Sequence, residues 1–152
     1  MIKLRSSKKK ISVLITVFNG EDHIEKCLLS LKLQTYKNWE AIIIDDKSTD
    51  NTLKIIKKCF TDKRFKLIAL KKNIGRIRAV NYGLTKCSGD YIAILDSDDI
   101  ANKNRLKKQI EFFKKNKQAK IVASFAHKID KKDYSISSIS VRGIVSIAKE
   151  LL

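Results

Sequence analysis

Strand-length apolar runs alternate with helical patterns along this chain, and that alternation restricts its fold more than any other sequence feature. Five runs are rich in β-branched or aromatic residues and predict strands: residues 11–18, 39–44, 65–70, 91–95 and 120–125. Between them, apolar residues three or four positions apart predict helices, as at Ile24, Leu28 and Leu31. The predicted order is β-α-β-α-β-α-β-α-β. It indicates an α/β domain whose mostly parallel sheet carries helices on both faces.

Length and cysteine content narrow the class of protein. A chain of 152 residues, 43% of them hydrophobic, can bury one sizeable core. Its apolar runs are far shorter than the roughly 20 residues of a membrane-spanning helix. Cys27, Cys59 and Cys87 have neither metal-ligand nor redox spacing, and we expect buried free thiols. A reducing cytoplasm is therefore the predicted location, with a position at the inner face of the membrane left open.

The formal net charge of +17 would attract any polyanion, whether nucleic acid, an anionic membrane or a phosphorylated substrate. The lysine-rich residues 54–72 and 103–120 carry no helix-turn-helix, zinc-finger or RNA-recognition signature. A nucleic-acid partner is therefore not expected. A peripheral contact with an anionic membrane stays possible, and lysine-rich codon usage is the alternative explanation of the charge.

Acidic residues directly follow two of the predicted strands. Asp45 and Asp46 come after the second run, and residues 96–99 (Asp-Ser-Asp-Asp) come after the fourth. Ligands of open α/β sheets bind beyond the carboxyl ends of the strands, where these acids are expected to gather. Hard cations such as Mn²⁺ or Mg²⁺ prefer oxygen ligands, so the cluster favours a metal-bound, phosphate-bearing ligand. An Asx turn capping the next helix is the alternative interpretation of residues 96–99.

Further polar segments border the same predicted edge. Residues 15–21 pass from a strand into a helix whose N-terminal amides could face an anion. In residues 42–52, Ser48 or Asp50 can cap a helix, while an acid at the strand end can accept a hydrogen bond from a base or ribose. Residues 73–84 form a turn and a helix that carries two arginines early on. Together the segments predict a nucleotide site.

Taken in order, these four segments resemble the donor half of family 2 glycosyltransferases, over about residues 11–124. The resemblance implies a GT-A fold, a nucleotide-diphospho-sugar donor, with a UDP-sugar preferred, and Mn²⁺ or Mg²⁺. Asp96, Ser97 and Asp98 match the family's DXD motif, which makes Asp98 the main metal ligand with Asp96 beside it. The donor-binding residues that it implies are Thr16, Phe18, Asn19, Glu21, Asp46, Arg76, Asp96 and Ser97.

The chain also departs from the family pattern. Thr16 stands where proline is usual and Lys47 where glycine is usual, although neither change removes a ligand atom. The family's inverting reaction uses a carboxylate base well beyond the DXD motif. Asp130, Asp133 and Glu150 are weak candidates, because none lies in the family's expected context. The catalytic residue is therefore unknown at this stage.

These observations predict three segments: a basic extension at 1–10, a nucleotide-sugar-binding domain at 11–130, and a tail at 131–152 as an incomplete acceptor region. Residues 134–142 are expected to form an edge strand or a loop, and 145–152 a short helix. The predicted activity is sugar transfer to a glycan or lipid-linked acceptor in surface polysaccharide or glycolipid synthesis. A truncated, inactive nucleotide-sugar-binding remnant is the alternative. A nucleotidyltransferase is disfavoured, because residues 19–26 lack its glycine-rich basic loop.

Overall fold

The structure is a computed structural model, and it describes residues 9–59, 62–129, 135–139 and 146–148. Within these ranges the helices and strands follow one another in the order β1 (Ile11–Val17), α1 (Ile24–Lys32), β2 (Trp39–Asp45), α2 (Thr52–Cys59), β3 (Phe65–Ala69), α3 (Arg76–Leu84), β4 (Tyr91–Ile94), α4 (Arg105–Lys115), β5 (Ile121–Val122), β6 (Ala126–Ile129), β7 (Ser135–Ile139) and β8 (Ser146–Ala148). No helix in the described ranges has the length and hydropathy to cross a bilayer.

The main sheet has the strand order β3-β2-β1-β4-β8-β5. Its first four strands are parallel, and β8 runs antiparallel to both of its neighbours. β1 lies at the centre, with Ile11 opposite Trp39 on one side and Tyr91 on the other. The predicted α/β class with a mostly parallel sheet is confirmed.

Helices cover both faces of this sheet, and successive side chains of β2 show why. Ile43 packs in a core with residues of α1, α2 and α4, whereas Ile42 and Ile44 pack in a second core against α3. Since side chains alternate across a strand, a strand covered on both faces needs an unbroken apolar run. All seven residues of β2 are buried accordingly.

α3 approaches the sheet closely at Gly83. A β-carbon placed on Gly83 would lie 2.4 Å from Leu14 Cδ1 and 3.0 Å from Ile44 Cγ1. A glycine therefore lets the helix backbone pack directly on β1 and β2. This contact fixes the helix whose first turn carries Arg76.

A buried carboxylate joins the strands at the edge opposite their carboxyl ends. Glu40 is 3% exposed and accepts hydrogen bonds from the hydroxyls of Ser12 and Ser88 at 2.7 Å each and from the Ser88 N–H at 2.9 Å. Lys10 Nζ and Lys66 Nζ each lie 2.9 Å from Glu40 Oε2. One side chain thus links β1, β2, β3 and the segment before β4.

The far end of the chain differs from the sequence expectation. The helix predicted at 145–152 is wrong where the structure describes it, because Ser146–Ala148 form β8, hydrogen-bonded between β4 and β5. Residues 135–139 form β7, which pairs with β6, so the strand alternative for that segment is confirmed there. The fifth predicted strand is only Ile121–Val122. The domain boundary at residue 130 stays a prediction.

Other expectations about individual side chains are confirmed. Cys27, Cys59 and Cys87 are buried free thiols. Trp39 is packed in the core, with its ring 5.5 Å from that of Phe65 in an edge-on arrangement. Packing therefore accounts for this aromatic residue.

Candidate functional site

The loops that follow β1 and β2 are bound to each other at the carboxyl edge of the sheet. Asn19 Oδ1 accepts the Thr49 N–H at 2.8 Å, while the Asn19 N–H donates to Ser48 Oγ at 3.0 Å. Glu21 Oε2 accepts the Asn51 N–H at 2.8 Å. Two predicted donor-binding residues, Asn19 and Glu21, therefore hold the two loops together. Sequence reasoning missed this role, because the bonds join segments about 30 residues apart.

Two other predicted residues of the β1 segment differ in exposure. Thr16 is half-buried within β1, where it lies opposite Ile44. Phe18, just beyond the strand, is 51% exposed despite its aromatic ring. An exposed aromatic side chain on an ordered loop offers a flat apolar surface for stacking.

Asp46 clamps the turn that leads into α3. Its Oδ1 accepts the Ile74 N–H and its Oδ2 the Gly75 N–H, each at 2.8 Å, and the residue is 3% exposed. Gly75 has φ of 83° and ψ of 153°, a conformation that favours glycine. Asp45 is also buried: its Oδ2 accepts the Ser48 N–H at 3.2 Å, and its Oδ1 has no partner in the described part of the chain. Asp46 is thus placed to position α3.

The acids after β4 lie close to one another and to Arg76. Arg76 Nη2 donates to Asp96 Oδ1 at 2.6 Å, which joins α3 to the end of β4. Asp98 is exposed and Asp99 half-buried. Burial, followed by repulsion from Asp98 and Asp96, raises the pKa of the Asp99 carboxyl. Carboxylates that repel one another in this way would gain from a bound cation.

Ser97 lies next to the loop after β1. A β-carbon on Gly20 would come within 3.8 Å of Ser97 Oγ, so the two loops are neighbours. The structure therefore brings all four predicted segments to one edge: the β1 loop, the β2 loop, the turn before α3 and the acidic loop.

Two buried groups lie beneath the acidic loop, and their position there was not predicted from the sequence. Arg105 Nη2 donates to the Ile94 carbonyl at 3.0 Å, and burial lowers the pKa of its guanidinium to about 10, against the opposing effect of Asp99. Cys27 Sγ lies 3.5 Å from the Asp96 carbonyl, and burial followed by the charge of Asp99 raises the pKa of its thiol to about 12. In the sequence, Arg105 directly precedes Leu106, which is the first apolar residue of a helical pattern. This position was the sequence signal that could have indicated the burial of Arg105.

The oxygen-rich acidic loop fits a hard divalent cation. Among the described residues, no three His, Cys, Asp or Glu side chains form a preassembled metal cage. Mg²⁺-type sites commonly use one or two carboxylates and complete their shell with substrate phosphates. Asp96 and Asp98 provide such a partial set of carboxylate oxygens, and Asp98 is exposed to an incoming ligand. His23 and His127 are both exposed.

Comparison with known proteins identifies the family. The sequence profile described as "Glycosyl transferase family 2" matches residues 12–149, which is most of the chain. The chain belongs to glycosyl transferase family 2. Among curated relatives of this family 2 chain, the Escherichia coli protein named UDP-Glc:alpha-D-GlcNAc-diphosphoundecaprenol beta-1,3-glucosyltransferase WfgD is 40% identical over 107 residues, covering 70% of this chain and 42% of WfgD.

Solved structures include proteins of similar fold. S. aureus TarS 1-349 in complex with UDP is 31% identical, with a TM-score of 0.69, over 74% of this chain and 34% of TarS 1-349. The mannosyltransferase PcManGT from Pyrobaculum calidifontis, in complex with GDP-Man and Mn²⁺, has a TM-score of 0.74 over 96% of this chain and 46% of its own. At 16% identity PcManGT shows the fold alone. The expected GT-A fold is confirmed, and this chain spans less than half the length of the curated relatives it matches.

Lys47 is one of two non-glycine residues with a positive φ in the described part of this family 2 chain; its φ is 67°, and that of Asn19 is 51°. That conformation costs an L-residue about 1–2 kcal/mol, while glycine loses about 0.5–1 kcal/mol of backbone entropy. Lys47→Gly is therefore expected to raise the free energy of unfolding by about 0.5–1 kcal/mol. Urea denaturation checks this. A destabilised Lys47→Gly variant would contradict it, and Lys47→Asn should give an intermediate gain.

Proposed function

We propose that this chain is the donor-binding part of a glycosyltransferase that takes a sugar from a nucleotide-diphosphate-sugar, preferably a UDP-sugar. The supporting observation is the convergence, at one sheet edge, of Asp46, Arg76 and the acids of residues 96–98. The acceptor is a glycan or a lipid-linked sugar in surface polysaccharide or glycolipid synthesis. Neither the fold nor the relatives favour an inactive remnant over a transferase.

Each site residue has a proposed part in donor binding. Phe18 offers its exposed ring to the base, with Thr16, Asn19 and Glu21 shaping the loop around it. Asp46 accepts from the base or ribose while it holds the turn before α3. The TarS complex with UDP, at 31% identity, supports a uridine nucleotide for this chain more strongly than the PcManGT complex with GDP-Man, at 16% identity, supports a guanosine nucleotide.

The diphosphate is proposed to lie over the acidic loop. Asp98 and Asp96 would hold Mn²⁺ or Mg²⁺, with Ser97 beside them, and Mn²⁺ in the PcManGT complex is consistent with this choice. Such a cation, when bound, offsets the negative charge of the diphosphate leaving group. Arg76 is exposed and can turn from Asp96 to a phosphate oxygen.

The proposed location is the cytoplasm, with peripheral contact at the inner face of an anionic membrane. The three buried free thiols fit a reducing compartment. The name of WfgD includes a diphosphoundecaprenol-linked acceptor, and an acceptor of that class would lie in a membrane. Substitution of Asp98 tests the metal site directly.

Asp98→Ala is expected to weaken UDP binding in the presence of Mn²⁺ at least tenfold, because each charge-assisted contact contributes about 1.5–3 kcal/mol. Isothermal titration calorimetry with UDP, with and without Mn²⁺, measures this. Glu111→Ala, which removes an exposed carboxylate of α4, is the control and should bind normally. A folded wild-type chain that binds no UDP, or an unchanged affinity in Asp98→Ala, would overturn the proposal.

A further inference from the structure

α4 has one buried side and one side that is strongly basic. Leu106, Ile110 and Phe113 point into the core below the sheet. Helical steps of about 100° per residue put the remaining positions on the opposite side. We call the exposed set the α4 outer face, and it consists of Lys107, Lys108, Glu111, Phe112, Lys114 and Lys115.

The four lysines of the α4 outer face are not neutralised within the described part of the chain. No ion pair there involves any of them, and Glu111 is the single acid of the helix. Other basic side chains behave differently: Arg64 pairs with Asp62 at 2.6 Å, and Lys66 with Glu40 at 2.9 Å. The positive charge of the α4 outer face is therefore directed to solvent.

An aromatic side chain lies beside two of these lysines, since Phe112 is about one helical turn from both Lys108 and Lys115. Phe112 is 43% exposed, and its ring lies 6.3 Å from that of Phe113. Phe113 in turn stacks on Tyr91 of β4 at 4.7 Å, so the helix is fixed to the sheet at this point. A rigid helix that presents a partly exposed ring among lysines combines electrostatic attraction with an apolar group that can enter a bilayer interface.

α2 supplies an internal comparison. It also exposes three lysines, Lys54, Lys57 and Lys58, but no aromatic residue. A lysine-rich composition alone would therefore give both helices the same affinity for an anionic surface. The difference between the two helices can be measured.

We propose that the α4 outer face binds an anionic phospholipid surface. The lysines contact the lipid phosphates and Phe112 enters the headgroup region. α4 begins beneath the acidic loop, where Arg105 contacts Ile94, so docking of this helix would hold the donor site close to the membrane. That last consequence rests on the proposed function, because it concerns a lipid-linked acceptor.

Vesicle co-sedimentation of the full chain tests the proposal, with phosphatidylcholine vesicles compared with vesicles containing about 30% phosphatidylglycerol, at roughly 0.1 M salt. Only the anionic vesicles should bind the wild type. The triple variant Lys107→Gln, Lys108→Gln, Lys115→Gln should partition about 100-fold more weakly, since each lysine near an anionic surface contributes about one factor of five. Phe112→Gln should partition into the anionic vesicles several-fold more weakly than the wild type.

The matched control is the triple variant Lys54→Gln, Lys57→Gln, Lys58→Gln, which removes the same charge from α2. Its partitioning into anionic vesicles should fall less than about fivefold. An equal loss in both triple variants would overturn the proposal, as would equal binding to neutral vesicles or no binding to anionic ones. Displacement from vesicles by an equal phosphate concentration of single-stranded DNA would overturn it in favour of a nucleic-acid surface.

Calorimetry with UDP and Mn²⁺ on the α4 triple variant distinguishes a loss of membrane binding from a loss of donor binding. The substituted lysines lie outside the donor site, so UDP affinity should stay unchanged. Loss of vesicle binding with intact UDP binding is the expected result. If the chain bound vesicles through α4 but did not bind UDP, the proposed function would be contradicted and the proposal of a membrane-binding α4 outer face would stand.

Discussion

Glu40→Ala is expected to lower the free energy of unfolding by about 3–5 kcal/mol, a large part of the 5–15 kcal/mol typical of a domain. The substitution leaves the buried hydroxyl of Ser12 and the N–H of Ser88 without their acceptor, and it removes the counterion of Lys10 and Lys66. Chemical denaturation measures the change.

Glu111→Ala is the control for Glu40, because its carboxylate is exposed and its loss should change stability by less than about 0.5 kcal/mol. Glu40→Gln keeps the size of the side chain and should lose roughly half as much as Glu40→Ala. A loss below about 1 kcal/mol in Glu40→Ala would show that the buried carboxylate is not a stabilising centre.

The same carboxylate predicts a pH dependence. Burial alone would raise the pKa of Glu40, but hydrogen bonds from Lys66, Lys10, Ser88 and Ser12 outweigh it and hold the pKa far below its ordinary value of 4.5. A lowered pKa in the folded state stabilises the fold above the ordinary value, and this contribution is lost as the pH falls below it. Unfolding measured between pH 7 and 3 should therefore depend less on pH in Glu40→Gln than in the wild type.

Asp46→Ala is the second large effect, with an expected loss of about 3 kcal/mol, because two backbone N–H groups lose a charged acceptor. The turn before α3 should also loosen, since the carboxylate of Asp46 holds both Ile74 and Gly75. Faster hydrogen exchange of these two amides, followed by NMR, separates loss of the clamp from general destabilisation.

Under the proposed function, Asp46→Ala is also expected to weaken UDP binding at least tenfold. The variant loses the contact with the base, and the loosened turn displaces Arg76 in the first turn of α3. Glu111→Ala again provides the comparison. Unchanged exchange at Ile74 and Gly75 would show that the clamp is dispensable. Unchanged UDP affinity would remove Asp46 from the donor site without affecting its structural role.

Local pattern was sufficient to locate β1 to β4. Each of these strands begins at the predicted residue and ends within one residue of the predicted end, because its residues form a short, mainly apolar run that polar residues bound. The same reasoning failed at Ser146–Ala148. A short apolar run fits a helix or a strand equally well, and the choice was made by pairing with β4 and β5, which a local window does not contain.

The candidate site shows the same division. The acids at the ends of β2 and β4 were recognisable because they interrupt apolar runs at the edge where ligands bind. The loop-to-loop bonds of Asn19 and Glu21, and the clamp by Asp46, depend on partners 28 to 30 residues away. The roles of individual residues in binding a donor stay predictions, as does the identity of a catalytic base, because Asp130, Asp133 and Glu150 lie outside the described residues.

The central position of β1 has a consequence for how the chain folds. One edge of β1 pairs with β2, its near neighbour in sequence, but the other edge pairs with β4, and the Lys10 N–H reaches Asp90 across 80 residues. Closing so long a loop costs chain entropy before any contact offsets it. We therefore expect docking of β4 to limit the folding rate, and substitutions at Ser88 or Asp90 to slow refolding, whereas those in α2 should chiefly speed unfolding.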